Sequence, residues 1–225
     1  YIKINGRKIY EGTALIIAAV CGHTEMVKLL VKYENGIKNE DGCTALVYAA
    51  RAGHREITEL LVDHEKDVTG WTMLMCAAVL RDVDMVSQHL GERGQKDKQG
   101  RTALILAAQN RRDDAVKLLM AHECGVSGWT MLIYSAYLGN VDAVRGNLHE
   151  KGQKDANGRT ALMYSMITRR YDLISILLKY ENCSQDHIGA TALMYAARIG
   201  DIKAIEILAG KEANIKDRHN ETATF

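Results

Sequence analysis

The 225 residues contain no proline, where an average composition would supply about eleven. Every turn must therefore be built from glycine, asparagine and aspartate, and 19 glycines are present to do it. Charge of either sign is not in excess, with 29 Lys+Arg against 28 Asp+Glu. That excludes the bulk field which draws a protein to nucleic acid or to an anionic membrane surface. No apolar run approaches the roughly 20 residues of a spanning helix, so membrane insertion is not expected. The opening YIKINGRKIY lacks the charged-then-apolar order of a signal peptide. Cysteine is sparse and scattered: Cys21, Cys43, Cys76, Cys124 and Cys183 are odd in number and form no CxxC. This argues against a disulfide framework or a zinc site and for reduced thiols, hence a cytoplasmic location. Also missing are a glycine-rich phosphate loop, G-x-S-x-G, H-E-x-x-H and a kinase catalytic-loop pattern. Neither a catalytic residue nor a metal or other cofactor is expected.

What is present is a repeat. T-A-L or T-M-L triplets begin at Thr13, Thr44, Thr72, Thr102, Thr130, Thr160 and Thr191, and an eighth start, Thr222-Ala223, precedes the end. The spacings are 31, 28, 30, 28, 30, 31 and 31 residues. Each unit continues as the first does, with an Ala-Ala pair (Ala18-Ala19), a Gly-His (Gly22-His23) and an apolar set at Met26, Val27, Leu29 and Leu30. Apolar residues at i, i+3, i+4 on both sides of the glycine read as two short amphipathic helices with a tight turn between them. Threonine reads as the first helix's N-cap. Polar stretches such as Asn39–Cys43 (NEDGC) read as turns between units. A helix pair this small cannot bury its apolar face alone, so the units must stack.

The run EDGCTALVYAARAGH from Glu40 to His54 resembles the ankyrin repeat, whose pattern is D-x-x-G-x-T-P-L-H-x-A-A-x-x-G-H followed by V-x-x-L-L. The resemblance implies an all-α solenoid of stacked helix-turn-helix units with short β-turn fingers. It implies one domain over 1–225, with repeats at 11–41, 42–69, 70–99, 100–127, 128–157, 158–188 and 189–219 and the start of an eighth. The family's proline is Ala or Met here, and its histidine is apolar (Ile16, Val47, Met75, Ile105, Ile133, Met163, Met194). Units keep a constant length from threonine to the end of the second helix, on this reading, so that the 28-residue units are short only in the finger. TGWTMLMCAA at Thr69 and SGWTMLIYSA at Ser127 lie 58 residues apart, as do GQKDKQGRTAL at Gly94 and GQKDANGRTAL at Gly152. The duplicated element was thus a pair of repeats. A narrower likeness is to proline-poor arrays of diplomonad protists, some fused to NimA-related kinases.

The resemblance implies a non-enzymatic scaffold or adaptor that binds another protein or a peptide on a concave face of finger tips and first helices. The alternative is the targeting or regulatory arm of a larger NimA-like protein kinase. The start at Tyr1 and the unclosed eighth unit are read as signs of a longer parent. Carried over by position, the candidate partner contacts are Cys43, Trp71, Arg101, Trp129 and Arg159 before the threonines, with Arg51, Val79, Leu80, Gln109, Asn110, Tyr137, Leu138, Ile167 and Arg198 beyond the small-residue pairs. Trp, Tyr and Arg are the residue types most enriched at binding hot spots. An equally available reading makes Trp71 and Trp129 internal, stacked on Arg101 and Arg159 as a cation–π ladder. His23 and His54 are expected to cap the second helices, and Arg111-Arg112 and Arg169-Arg170 to form solvated basic spots that could dock an acidic segment. A monomer is expected, with self-association through open ends as a lesser option.

Overall fold

The computed structural model describes residues 2–4, 7–9 and 12–223, with side chains from residue 12. A short antiparallel hairpin comes first, β1 (Ile2–Ile4) and β2 (Arg7–Ile9), with Lys3 opposite Lys8. Fourteen α-helices then follow among the described residues, in seven pairs. They are α1 (Ala14–Cys21) with α2 (Thr24–Glu34), α3 (Ala45–Ala52) with α4 (Arg55–Thr69), α5 (Met73–Leu80) with α6 (Val83–Gln88), and α7 (Ala103–Gln109) with α8 (Asp113–Ser127). The remaining pairs are α9 (Met131–Leu138) with α10 (Val141–Gly146), α11 (Ala161–Ile167) with α12 (Tyr171–Glu181), and α13 (Ala192–Ile199) with α14 (Ile202–Glu212). The all-α, helix-turn-helix reading holds beyond the hairpin.

Each first helix starts immediately after a repeat threonine in extended conformation. Thr13, Thr72, Thr130 and Thr191 accept the amide three residues on, at 3.2 to 3.4 Å. That bond satisfies one of the donors a helix start leaves open. The chain then turns through a left-handed residue, Gly22, Gly53, Gly139 or Gly200, and in the other three units through Arg81, Arg111 or Arg169. An arginine there carries a backbone cost of about 1 kcal/mol that glycine avoids.

Asp82, Asn140 and Asp201 cap the second helices through their side chains, at 2.9, 3.0 and 3.2 Å. His23 and His54 do not. The imidazole of His54 instead reaches the Val20 carbonyl of the preceding repeat, Nε2 to O 3.0 Å. Arg112 makes the same bridge to the Val79 carbonyl at 2.7 Å. This position ties neighbouring repeats together as well as starting a helix.

The second helices are not of constant length, which corrects the expectation from the sequence. α4 and α8 each run 15 residues, whereas α6 and α10 run six before a 3-10 turn at Leu90–Glu92 or Leu148–Glu150. In the 28-residue units the helix therefore continues through the stretch that forms a finger elsewhere.

The chain divides into two compact units, residues 1–123 and 124–225, the division falling within α8. In the first, α1 packs on α3 and α5 on α7; in the second, α9 packs on α11 and α11 on α13. The Ala-Ala pairs of the first four repeats and Ser135-Ala136 of the fifth are buried, so the helices meet closely around Leu15, Leu46, Leu74, Leu104, Leu132 and Leu162. No described helix is long and apolar enough to cross a membrane.

Candidate functional site: fingers and first helices

Where a finger forms, an aspartate organises it, or in the first finger Asn39, whose Oδ1 accepts the Cys43 amide at 2.9 Å. Asp97 Oδ1 accepts the amides of Gln99 and Arg101 at 2.9 and 2.8 Å. Asp155, Asp186 and Asp217 repeat this on the residues two and four positions on. One carboxylate oxygen thus holds a five-residue turn whose glycine or asparagine adopts positive φ. In the second unit successive fingers also bond through the backbone, His187 donating to the Asn157 carbonyl at 3.0 Å and Arg218 to that of Ile188 at 3.3 Å, while Ala156 donates to Ser127 at the end of α8 at 2.8 Å as Lys98 does to Thr69 at the end of α4 at 3.2 Å.

The other oxygen takes a side chain. Asp97 binds Arg101 through Nε and Nη2 at 2.7 and 2.6 Å. In the second unit the tyrosines take over: Tyr164 donates to Asp155 Oδ2 and Tyr195 to Asp186 Oδ2, both at 2.6 Å. Arg159 is thereby displaced towards the next repeat, where Nε donates to Tyr195 Oη at 2.9 Å and the guanidinium lies 5.4 Å from that ring's centre. Burial raises the phenols, Tyr164 well above its ordinary value and Tyr195 to about 12, while Arg159 pulls both down and the carboxylates push both up.

Trp71 and Trp129 are internal, with exposures of 1% and 4%. Their amides accept no place in a finger: each donates to the hydroxyl ending the long helix, Trp71 to Thr69 Oγ1 at 3.0 Å and Trp129 to Ser127 Oγ at 3.2 Å. The Trp129 ring meets Tyr164 edge-on at 4.8 Å and Tyr137 at 5.7 Å, and its indole N–H donates to Tyr164 Oη at 3.3 Å. The expected Trp–Arg ladder is therefore replaced by Trp129 on tyrosines, Arg101 on Asp97 and Arg159 on Tyr195. Tryptophan fills the space that a finger would cover.

The remaining candidates divide by position. Val79, Leu80 and Tyr137 are buried with the tryptophans, so these five side chains present little outer surface, Leu80 the most at 9%, contrary to the expectation. Cys43, Arg51, Arg101, Gln109, Asn110, Leu138, Arg159 and Ile167 are half-buried. Arg51 donates to Cys43 Sγ at 3.6 Å. Arg198 is exposed. It lines a hollow of about 350 Å³ with Ile188, Met194, Tyr195, Asp217 and Glu221.

Seven glutamates, not singled out from the sequence, form a second organising series. Glu34, Glu65, Glu92, Glu123, Glu150, Glu181 and Glu212 each accept, through Oε2, the amide of the leucine near the start of their own repeat's first helix, at 2.7 to 2.8 Å. Four also hold the preceding repeat: the Oε1 atoms of Glu65, Glu123, Glu181 and Glu212 accept the amides of Gly36, Gly94, Gly152 and Cys183 at 2.9 to 3.1 Å. Burial raises the pKa of Glu181, and these two amides oppose it. Among the described residues no group of three or more His, Cys, Asp or Glu is placed to hold a metal ion.

A family model described as ankyrin repeats matches three times, over residues 2–70, 74–146 and 146–219. Over 129 residues, 56% of its length, the chain is 26% identical to the potassium channel AKT2/3 of Arabidopsis thaliana, of which it covers 13%. Among solved structures it is similar to the ankyrin repeat domain of Bcl-3, described as a unique member of the IkappaB protein family, at 20% identity and a TM-score of 0.39, over 95% of this chain and 93% of that one.

Proposed function

The chain belongs to the ankyrin-repeat family, and on that premise we propose that it is a non-enzymatic scaffold or adaptor that holds a partner protein or peptide on the fingers and first helices of residues 124–225. Repeats of this kind are in general protein–protein interaction modules. The observation that carries the placement is the run of three successive fingers, at 155–159, 186–190 and 217–221, bonded one to the next. In the first unit the fingers at 39–43 and 97–101 flank a repeat in which helix and tryptophan replace the finger.

Exposed side chains on this run are not consumed by the fold. His187, Ile188, Arg218 and His219 stand out at the tips, and Arg198 and Ile199 on α13 beside the hollow. Apolar and arginine side chains together on an open surface are what a protein partner rewards. A reducing, cytoplasmic compartment is part of the proposal, resting on the odd number and scatter of the cysteines in the sequence.

The test is affinity capture from cells with the native chain and with Ile188→Ser/Arg198→Glu/Ile199→Ser, after matching helical circular dichroism. A partner held by the native bait and lost from the variant is expected. Equal retention by both would remove recognition from this surface. A second reading, an arm of a longer protein, draws support from the potassium channel, in which the matching segment is 13% of the length.

A further inference from the structure

The fingers at 97–101 and 155–159 belong to the duplicated stretches QKDKQGR and QKDANGR, and Arg101 and Arg159 stand at the same position in them. The two arginines are held differently. Arg101 grips the carboxylate of its own finger, Nε and Nη2 reaching Asp97 Oδ2 at 2.7 and 2.6 Å. In the other copy that oxygen is taken, because Tyr164 donates to Asp155 Oδ2 at 2.6 Å. Tyr164 occupies the first-helix position that Leu106 has in the earlier repeat. Leucine has no hydroxyl to compete for the aspartate, so one side chain on the helix decides where the arginine goes.

Arg159 is left with a neutral partner. Its Nε donates to Tyr195 Oη at 2.9 Å, and no described carboxylate forms an ion pair with it. Its Nη1 is closed off from solvent without an acceptor among the described residues, and so is Asn157 Nδ2 in the same finger. No other finger has such an atom among the described residues. An enclosed charge without a counter-charge, and an enclosed donor without an acceptor, both raise the free energy of the unbound chain. A bound acceptor relieves both. The finger lies between the sixth and seventh repeats, whose helix pairs are both described.

We infer that Arg159 anchors a carboxylate of the partner, an Asp or Glu side chain in a segment lying along the fingers of the second unit. This rests on the recognition surface proposed above and names the chemistry it selects. Charge complementarity decides the occupant: the guanidinium has no anion of its own, and a carboxylate matches its planar fork with two parallel N–H···O bonds. Ile188 on the adjoining finger, 57% exposed, offers the same segment an apolar contact that a free inorganic anion would not use. Tyr164 is the positioning residue, since by occupying Asp155 it keeps Arg159 from closing on its own finger.

A phage-displayed library of random peptides, selected on the 225-residue chain, supplies the probes. The selected peptides are expected to share an Asp or Glu whose replacement by Asn or Gln weakens binding about ten- to hundredfold. Arg159→Gln should weaken the acidic peptide by a similar factor, and replacing the acid should then make no further difference, which shows the two groups to be coupled. Tyr164→Phe keeps the ring and releases Asp155 Oδ2, so that Arg159 should close on Asp155 as Arg101 does on Asp97 and the coupling should fall with the charge still present. Each variant is first matched to the native chain by circular dichroism. Should Tyr164→Phe not fold, Arg159→Lys, which keeps the charge and removes the fork, takes its place and should also lose coupling. A library that yields no peptide, peptides that share no acid, or an acid whose effect survives Arg159→Gln overturns the inference. Peptides indifferent to Arg159→Gln but lost with Ile188→Ser/Arg198→Glu/Ile199→Ser overturn the anchor alone and leave the recognition surface standing, so the two readings fail separately.

Discussion

Glu123 Oε2 accepts the amide of Leu104, 19 residues before it, at 2.7 Å, while the carboxylate's other oxygen holds Gly94 of the preceding repeat at 2.9 Å. A buried carboxylate thus does for the helix start what the threonine hydroxyl does elsewhere, and clamps the neighbouring turn as well. Hydrogen bonds to a charged group contribute about 1.5 to 3 kcal/mol each. Glu123→Ala should therefore lower stability by about 3 kcal/mol or more in a denaturant titration. Glu34→Ala, which loses one described bond at a half-buried site, should cost roughly half as much. Equal, small effects would show that the carboxylates are spectators.

Trp129 is held by two tyrosine rings and by its bond to Tyr164 Oη. Trp129→Ala should destabilise by about 3 to 5 kcal/mol, as large-to-small core changes do. Trp129→Phe keeps the ring contacts and loses the indole donor, for about 1 kcal/mol. Thermal melts of the two variants check the order.

Alkaline stability follows from the finger tyrosines. Tyr195 titrates at about 12 in the folded chain against an ordinary value of 10.0, chiefly because it is buried, and Tyr164 is also raised. A group raised on folding contributes stability that is complete below its unfolded value and lost as pH climbs through the folded one. The chain should therefore lose stability from pH 10.0 to about 12, by up to about 1.4 kcal/mol per pH unit for each such tyrosine. Phenolate absorbance should show a late titration that disappears in denaturant. A single transition identical in both conditions would contradict the assignment.

Thiol reactivity should separate the cysteines by burial. Cys183 is exposed, whereas Cys76 is fully buried and its thiol is pushed far up, chiefly by burial. A chromogenic disulfide reagent should modify Cys183 first and Cys76 only on unfolding, with mass spectrometry assigning the sites.

The helix pairs, their threonine starts and the duplication of a repeat pair were legible because apolar periodicity and turn residues act locally. The fate of Trp71 and Trp129 was not. The residue before the threonine belongs to a finger at Arg101 and Arg159, and the same register at Trp71 and Trp129 follows a helix that runs four residues past its glutamate, to Thr69 and Ser127. Helix continuation depends on what the next repeat offers, which is a tertiary matter. The glutamates did carry a signal, recurring at 31 or 27 residues from Glu34 to Glu212. A glutamate on a helix reads as surface, and only the geometry shows the amides, two each at Glu65, Glu123, Glu181 and Glu212, that make burial tolerable.

Trp71 and Trp129 are both scaffold, buried inside their repeats, and the proposed recognition surface contains neither. Tryptophan fluorescence, excited selectively, with iodide quenching measures this directly, since Trp71 and Trp129 are the chain's two tryptophans. The expected emission is strongly blue-shifted from that of free tryptophan and almost insensitive to iodide until the chain unfolds. Emission at the solvent-exposed wavelength, quenched by iodide in the folded chain, would contradict it.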